Sequence, residues 1–297
     1  MVLKINIEVI IMKKTILFTT LMLLISLLSF STLINEEGNV YNLNLEYENG
    51  WVKVLSHTLQ FGGNGTNFDF VGQGGQDILF PFERFTADLE LFDKHHVVFL
   101  YQPLTVETKV QQRDDLVFND TTFASTTNAD SVLNVKYGFP FWRVSYLYDF
   151  LENEDYYLSA GLSLQLRNAS IIFENYDGSK VTVNQNLGPV PIIKIKAAYF
   201  FDNGIYLETD ADGFYASSAF INGADFNFEG SVFDISGRVG FELKDSLNTF
   251  INIRYLGGTA NGTSQYESTR WSESGQSENY TSNILNTATF TLGFEIK

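Results

Sequence analysis

The sequence predicts an all-β fold: a single antiparallel transmembrane β-barrel behind a signal peptide, most simply with 10 strands within a range of 8–12. Three observations support this prediction. The chain opens with a secretory leader, its later segments alternate apolar and polar residues over long runs, and the connections between those runs alternate between short and long. Such alternation is typical of strands that have one face towards lipid and the other towards a polar lumen.

The N-terminal stretch MKKTILFTTLMLLISLLSFS has the composition of a secretory signal peptide. Lys13 and Lys14 precede an apolar run that is shorter than the roughly 20 residues of a membrane-spanning helix, and Ser31 is a small residue suited to cleavage. We therefore expect export through the inner membrane, cleavage near Ser31 and localisation to the outer membrane. The predicted division is a signal peptide at 1–31, a periplasmic N-terminal segment at 32–50 and the barrel at 51–297.

The composition argues against several classes of function. Removal of residues 1–31 takes away three Lys and one Glu, which leaves 16 basic and 34 acidic side chains and a formal charge of −18. Nucleic acid repels such an acidic chain, so no nucleic-acid partner is expected. The full sequence has no Cys, which rules out disulfides, thiolate metal sites and a cysteine nucleophile.

Long alternating segments favour the barrel over a soluble β-sandwich. Residues 156–168 place Leu158, Leu162 and Leu166 on one face and Arg167 among polar residues on the other. Strands of a sandwich also alternate, but they are typically about five or six residues long. The predicted strands are 51–61, 80–92, 96–109, 131–150, 156–172, 190–201, 205–216, 229–243, 247–258 and 283–296.

The connections between these strands alternate in length. The short ones are 93–95, 151–155, 202–204 and 244–246, and the long, polar ones are 62–79, 110–130, 173–189, 217–228 and 259–282. Short periplasmic turns, long extracellular loops and two periplasmic termini are typical of bacterial outer-membrane barrels.

Residues 131–150 interrupt the pattern, because the apolar positions change from odd to even around Gly138 and Pro140. Leu133 belongs to the first set and Val144 to the second. A single strand with a bulge, which reverses the facing of side chains, accounts for the change, and so do two strands joined by a tight turn. These alternatives set the range of strand numbers.

The last predicted strand, NTATFTLGFEI, resembles the C-terminal strand of bacterial outer-membrane barrels, where alternating apolar residues end near a glycine and an aromatic residue. Phe290, Leu292, Phe294 and Ile296 form the apolar face. The chain departs from that pattern by ending in Ile296 and Lys297 rather than in an aromatic residue. The resemblance is to the general class, and it implies outer-membrane lipid and the barrel-assembly machinery as partners.

The stretch KIKAAYFFDNGIYLETDADGFY places charges at every second position of two predicted strands, which directs them to one face. A hairpin loop at Asp202–Gly204 brings Lys194 opposite Asp212 and Lys196 opposite Asp210 in the lumen. The candidate lumen charge network is Arg167, Lys194, Lys196, Glu208, Asp210, Asp212, Asp234, Arg238 and Arg254. It either fills the lumen and fixes the strand register, or forms a constriction that selects solutes by size and charge.

The sequence predicts no metal or cofactor site. Glu208, Asp210 and Asp212 imitate the start of a calcium-binding loop, but Ala219 stands at the position of its final acid. The glycine-rich residues 62–79 lack the lysine of a phosphate-binding loop.

Catalysis is not predicted either. The architecture resembles that of the ten-stranded omptin proteases, which use an acid and histidine arrangement near the outer rim. The histidines here are His57, His95 and His96, and the last two fall beside a predicted periplasmic turn. His57 is the remaining candidate base, and the sequence shows no serine or acid partner for it.

The sequence therefore favours a non-enzymatic outer-membrane barrel that acts as a narrow passive channel or small-solute conduit with an ion-paired lumen. The alternative is a closed barrel that serves in surface adhesion, ligand binding or envelope structure through long extracellular loops. The loop at 259–282, with Tyr266, Trp271 and Tyr280, fits a solvated loop or a surface that binds a glycan or protein. A barrel hydrolase is the least favoured function.

Overall fold

Strands account for all the regular structure in the computed structural model, which describes residues 41–62, 64–118, 121–125, 132–217, 228–244, 246–263 and 280–297. In chain order they are β1 (Tyr41–Phe61), β2 (Phe68–Asp69), β3 (Leu79–Leu91), β4 (His95–Gln102), β5 (Thr105–Gln111), β6 (Leu116–Phe118), β7 (Thr121–Phe123), β8 (Val132–Gly138), β9 (Phe141–Glu152), β10 (Tyr156–Asn175), β11 (Val181–Phe200), β12 (Ile205–Ser217), β13 (Phe228–Lys244), β14 (Leu247–Thr263) and β15 (Tyr280–Ile296). In the described ranges, no helix has the length and apolar character needed to cross a membrane.

Ten of these strands form a closed antiparallel barrel in the order β1, β3, β4 and then β9 to β15. The barrel closes because β1 pairs with β15 on one side and with β3 on the other. The predicted ten-stranded barrel is thus confirmed.

The barrel wall follows the two-residue period of its strands. Apolar side chains such as Leu162, Ile195 and Ile253 are exposed on the outer surface, whereas their chain neighbours Ser163 and Arg254 are buried inside. Because successive strand residues point to opposite faces, the alternating sequence gives an apolar outer belt and a largely polar lumen.

The two ends of the barrel differ. The short turns after β3, β9, β11 and β13 lie at one end, together with the start of β1 and the end of β15; we call this the turn end and the opposite one the loop end. At the turn after β3, Phe92 and Asp93 have φ angles of 53° and 63°, as a two-residue type I′ turn requires.

Several strands are longer than the sequence indicates, β1, β10 and β11 among them. β1 starts at Tyr41 and already pairs with β15 at Leu45, so residues 41–50, expected in the periplasm, belong to the barrel wall. Alternating polar residues inside this segment, which face the lumen, obscured its strand character. The prediction of a long loop at 173–189 is wrong, because β10 and β11 extend through these positions and form a hairpin. Its turn at 176–180 contains Gly178, which has a φ of 70°.

β8 and β9 together cross the wall once, as the single-strand interpretation of residues 131–150 predicts, but neither the bulge nor the tight turn expected around Gly138 and Pro140 is present. From Gly138, opposite Ser170, to Phe141, opposite Arg167, the register with β10 is continuous, so the chain neither bulges nor reverses there. The register shifts only near the turn end, between Leu158 and Ser159 of β10. Odd-numbered side chains face inwards throughout. At the loop end, around Leu133, the lumen is apolar, so the apolar side chains there are the inward-facing ones. Further down the lumen is polar and β9 meets lipid, so the apolar side chains of β9 are mainly the outward-facing ones.

The apolar core fills the lumen at the loop end. The connection 62–78 folds inwards and buries Phe68 and Phe70, and the small hairpin of β6 and β7 buries Phe118 and Phe123. These rings surround Phe173 of β10, with ring centroids 4.8–6.4 Å from it. Two of the connections that the sequence assigns to solvent therefore form a plug.

Several sequence predictions fall outside the described residues. They are the signal peptide, Ala219 with most of the loop at 217–228, and Tyr266 and Trp271 in the loop at 259–282.

Candidate site in the barrel lumen

Asp234 of β13 is the centre of a charged layer that crosses the lumen. Arg84 of β3 and Arg254 of β14 donate hydrogen bonds to its carboxylate at 3.1 and 2.8 Å, and Nη1 of Arg143 of β9 lies 3.0 Å from it. All four side chains are buried. Three guanidinium groups around one carboxylate require further anions, because an uncompensated buried charge is strongly unfavourable.

Strand β12 supplies two of these anions. The register places Asp212 opposite Lys194 and Asp210 opposite Lys196, as the hairpin spacing predicts. Asp212 lies 2.7 Å from Arg143 and 3.0 Å from the Lys194 ammonium, which also contacts Asp210. One lysine thus joins both acids of the DAD stretch to the arginine cluster.

Strand β1 supplies the last anion. Glu48 lies 3.3 Å from Arg254 and accepts hydrogen bonds from Asn252 and Thr291 at 2.8 and 2.7 Å. With it the charges balance at four cations and four anions, a set that we call the ion-paired layer: Arg84, Arg143, Lys194, Arg254, Glu48, Asp210, Asp212 and Asp234.

A second, smaller group of charges lies nearer the turn end. Arg238 donates to both oxygens of Glu46 at 2.9 and 3.0 Å and also contacts Glu208. The Lys196 ammonium lies 3.5 Å from Glu208, and the Tyr157 hydroxyl donates to that carboxylate at 2.8 Å. These two cations and two anions again balance, so both groups are neutral as wholes.

Eight of the nine candidate residues lie in these two groups: Lys194, Lys196, Glu208, Asp210, Asp212, Asp234, Arg238 and Arg254. Arg167 does not; it lines a cavity closer to the loop end. Sequence reasoning missed Glu46, Glu48, Arg84 and Arg143. The spacing of Glu46 and Glu48 in LEYEN was the available signal, whereas Arg143 lay in the segment whose facing was misinterpreted.

The histidines do not form a catalytic arrangement with one another. His57 is fully buried and stacks on Phe70, with ring centroids 4.0 Å apart. His96 lies near the turn end, with its two ring nitrogens 3.0 and 3.1 Å from carboxylate oxygens of Asp88 and Asp149. Within the described ranges, no group of three or more His, Asp or Glu residues is arranged to hold a metal ion.

The lumen space is divided by the charges. A cavity of about 30 Å³ lies between the ion-paired layer and the second group, which is room for about one water molecule. A polar vestibule of about 430 Å³ lies towards the turn end, lined by His96, Asp149 and Lys196 among others. On the loop side a mainly apolar cavity of about 290 Å³ is lined by residues that include Val190, Phe214 and Leu256.

A closed barrel with an apolar outer belt and a charged lumen decides the class of fold. The fold is that of an outer-membrane β-barrel. No family model and no curated protein matches the chain.

The chain is similar to several solved structures, at low identity and with TM-scores below 0.5. The outer membrane protease OmpT from Escherichia coli is 8% identical with a TM-score of 0.43, over 86% of this chain and 96% of that one. A Pseudomonas aeruginosa FadL homologue is 7% identical with a TM-score of 0.34, over 86% and 89%. The Pseudomonas putida toluene transporter TodX is 8% identical with a TM-score of 0.31, over 90% and 92%.

Proposed function

We propose that this outer-membrane barrel is a non-enzymatic small-solute conduit whose ion-paired layer keeps the lumen closed at rest. The observation that carries the proposal is the vertical order of the lumen. An apolar cavity of about 290 Å³ and a polar vestibule of about 430 Å³ lie on opposite sides of a layer with about 30 Å³ of space. Solute space on both sides of a closed constriction suits a gated conduit better than an open pore.

The charged groups explain why the closed state is stable. Every charge of the ion-paired layer has an opposite charge within 4.0 Å, so none is left uncompensated in the low-dielectric interior. An ion that enters this layer must displace one of these partners. A ten-stranded barrel is also narrow, since the interior of an eight-stranded one is already filled by side chains.

The described loops favour a role inside the lumen over adhesion. Phe70 and Phe118, which come from two of the long connections, are buried in the plug rather than displayed to a partner. A connection that uses its aromatic residues to fill the barrel offers less apolar surface for binding outside.

The same geometry argues against hydrolysis. His57 is enclosed by aromatic rings, and the acids of β12 that lie nearest the loop end, Asp210 and Asp212, are paired with Lys194. A general base must reach the proton that it abstracts, and none of these groups is presented to a substrate.

Planar-bilayer recording tests the closed state. The refolded wild type should give no steady conductance. Asp210→Asn combined with Asp212→Asn should open the lumen intermittently and favour anions, because Lys194 loses both of its anionic partners and Arg143 loses one of its two. The matched control is Asp155→Asn with Asp177→Asn, two carboxylates in turns outside the lumen, which should stay silent. Steady wild-type conductance would overturn the proposal.

A further inference from the structure

The barrel wall has a lateral gap between β11 and β12 on the loop side. Their pairing ends at Ile193 opposite Gly213. Both strands nevertheless continue beyond this point, because β11 pairs with β10 as far as Val181 and β12 pairs with β13 as far as Ser217. The two strands therefore separate in the upper wall while each stays bonded to its other neighbour.

Two prolines account for the end of the pairing. Phe200 donates its backbone N–H to the carbonyl of Asp155, just before β10, and Phe201 donates to the carbonyl of Ile205 of β12. The backbone N–H and C=O groups of the odd-numbered residues of β11 therefore point towards β12. The odd positions that follow Ile193 towards the loop end are Pro191 and Pro189. Proline has no N–H, so the ladder lacks a β11 donor at both positions.

The gap lies at the level of the apolar belt. Pro191 and Pro189 pair across the other side of β11 with Leu164 and Leu166, whose side chains are exposed on the outer surface. A gap at this level opens towards the lipid chains.

The apolar cavity of the lumen reaches this gap. Its lining includes Pro189 and Pro191 from one edge and Phe214 and Ser217 from the other. Small residues of β12, β13 and β14 make room for it, namely Ala216, Gly230, Gly258 and Ala260. Its volume of about 290 Å³ is roughly twice that of an apolar cavity of about 150 Å³ that accommodates benzene.

One buried donor faces away from the ion-paired layer. Arg143 donates to Oε1 of Gln165 from Nε and Nη2 at 3.0 and 2.7 Å. A guanidinium cannot accept, so this contact fixes the amide orientation and leaves Nε2 of Gln165 pointing elsewhere. Gln165 is 1% exposed, lines the cavity, and its Nε2 has no hydrogen-bond partner among the described residues.

We propose that this cavity binds a small apolar molecule carrying one hydrogen-bond-accepting group, which enters sideways from the lipid between β11 and β12. The apolar body fills the space beside Phe214 and Leu256, and its acceptor takes the N–H of Gln165. This inference rests on the proposed conduit and names its solute class. The same chemistry is found in a free aromatic alcohol or acid and in the ester end of a lipid chain.

Fluorine NMR on the protein in lipid nanodiscs tests the site. The probes are 4-fluoroacetophenone and 4-fluorotoluene, which share a fluorinated ring; only the ketone has an acceptor, and it has no O–H or N–H to donate. We expect a saturable bound signal for both, lost in Ala216→Trp and retained in the control Ala211→Trp, whose side chain lies five residues away on the outer face of β12. Absence of a saturable signal in the wild type, or its retention in Ala216→Trp, would overturn the site.

Gln165→Glu tests the polar end, because it keeps the acceptor for Arg143 and removes the N–H. The ketone, whose oxygen can only accept, should bind roughly 3- to 10-fold more weakly than to the wild type, the effect of losing one hydrogen bond, while 4-fluorotoluene changes little. Equal weakening of the binding of both probes would show that Gln165 does not bind the acceptor group. A separate sample with fluorine-labelled lipid chains tests whether a lipid chain occupies the cavity. A bound chain should give a second fluorine signal, which Ala216→Trp should remove.

A cross-link tests the entrance. Pro189→Cys with Ser217→Cys spans the gap, and Ile195→Cys with Ala211→Cys spans paired positions below it as the control; the chain has no other Cys. Bridging the first pair with a short bis-maleimide should slow probe exchange, and bridging the second should not. Unchanged exchange in both refutes lateral entry. These measurements do not depend on conductance. If the wild type shows neither conductance nor probe binding, the proposal of a closed barrel holds and the proposal of a ligand site is rejected.

Discussion

Among the neutralising substitutions in the ion-paired layer, we expect Asp234→Asn to lower the free energy of unfolding most. Asp234→Asn leaves four cations and three anions in the layer, with three guanidinium groups at 2.8, 3.0 and 3.1 Å from a neutral side chain. Removal of one partner from a buried pair costs about 3–5 kcal/mol, and the three contacts place this variant at the upper end. Urea unfolding in lipid vesicles, followed by the fluorescence of the three Trp residues, measures the loss.

Two further variants make the result specific to charge balance. Asp77→Asn removes an ion pair with Lys53 in which the Asp77 side chain is 72% exposed and the Lys53 side chain 36%. It should change the unfolding free energy by less than about 1 kcal/mol. Asp234→Asn with Arg254→Gln restores a balance of three and three and should recover part of the loss. A change below about 1 kcal/mol in Asp234→Asn, or a double variant as unstable as the sum of the single ones, would refute the reasoning.

Two other substitutions probe the packing of the lumen. Gly240→Ala makes its Cβ clash with the Tyr206 ring and should destabilise the barrel by about 1–3 kcal/mol in the same urea titration. Gly237→Ala meets open space and should change the stability by no more than about 0.5 kcal/mol. Equal losses would contradict the ring contact. His57→Phe should change stability by less than about 1.5 kcal/mol, because His57 already packs against Phe70 as an aromatic core residue; failure to fold would contradict this.

The wall of the barrel could be predicted because its physics is local. Alternation over a strand decides which side chains meet lipid, and a short turn such as Asp202–Gly204 decides the register of its hairpin. The opposition of Lys194 and Asp212 followed from those two facts alone.

The contents of the lumen depend on contacts between distant segments. Arg84 reaches Asp234 across 150 positions of sequence, and no local pattern links them. The change at residues 131–150 looked like a reversal of facing because the lumen was assumed to be polar along its whole length, whereas Leu133 faces an apolar plug. The gap above Ile193 followed from two prolines whose direction only the register reveals.

Sided thiol labelling tests most directly whether the ion-paired layer closes the lumen. Ser159→Cys places a thiol in the vestibule and Ala260→Cys places one in the apolar cavity, in a chain without other cysteines. In oriented vesicles, a charged membrane-impermeant maleimide added at the turn end should label the first variant and leave the second unlabelled. Comparable labelling of both from that side would show an open path through the layer and contradict the account.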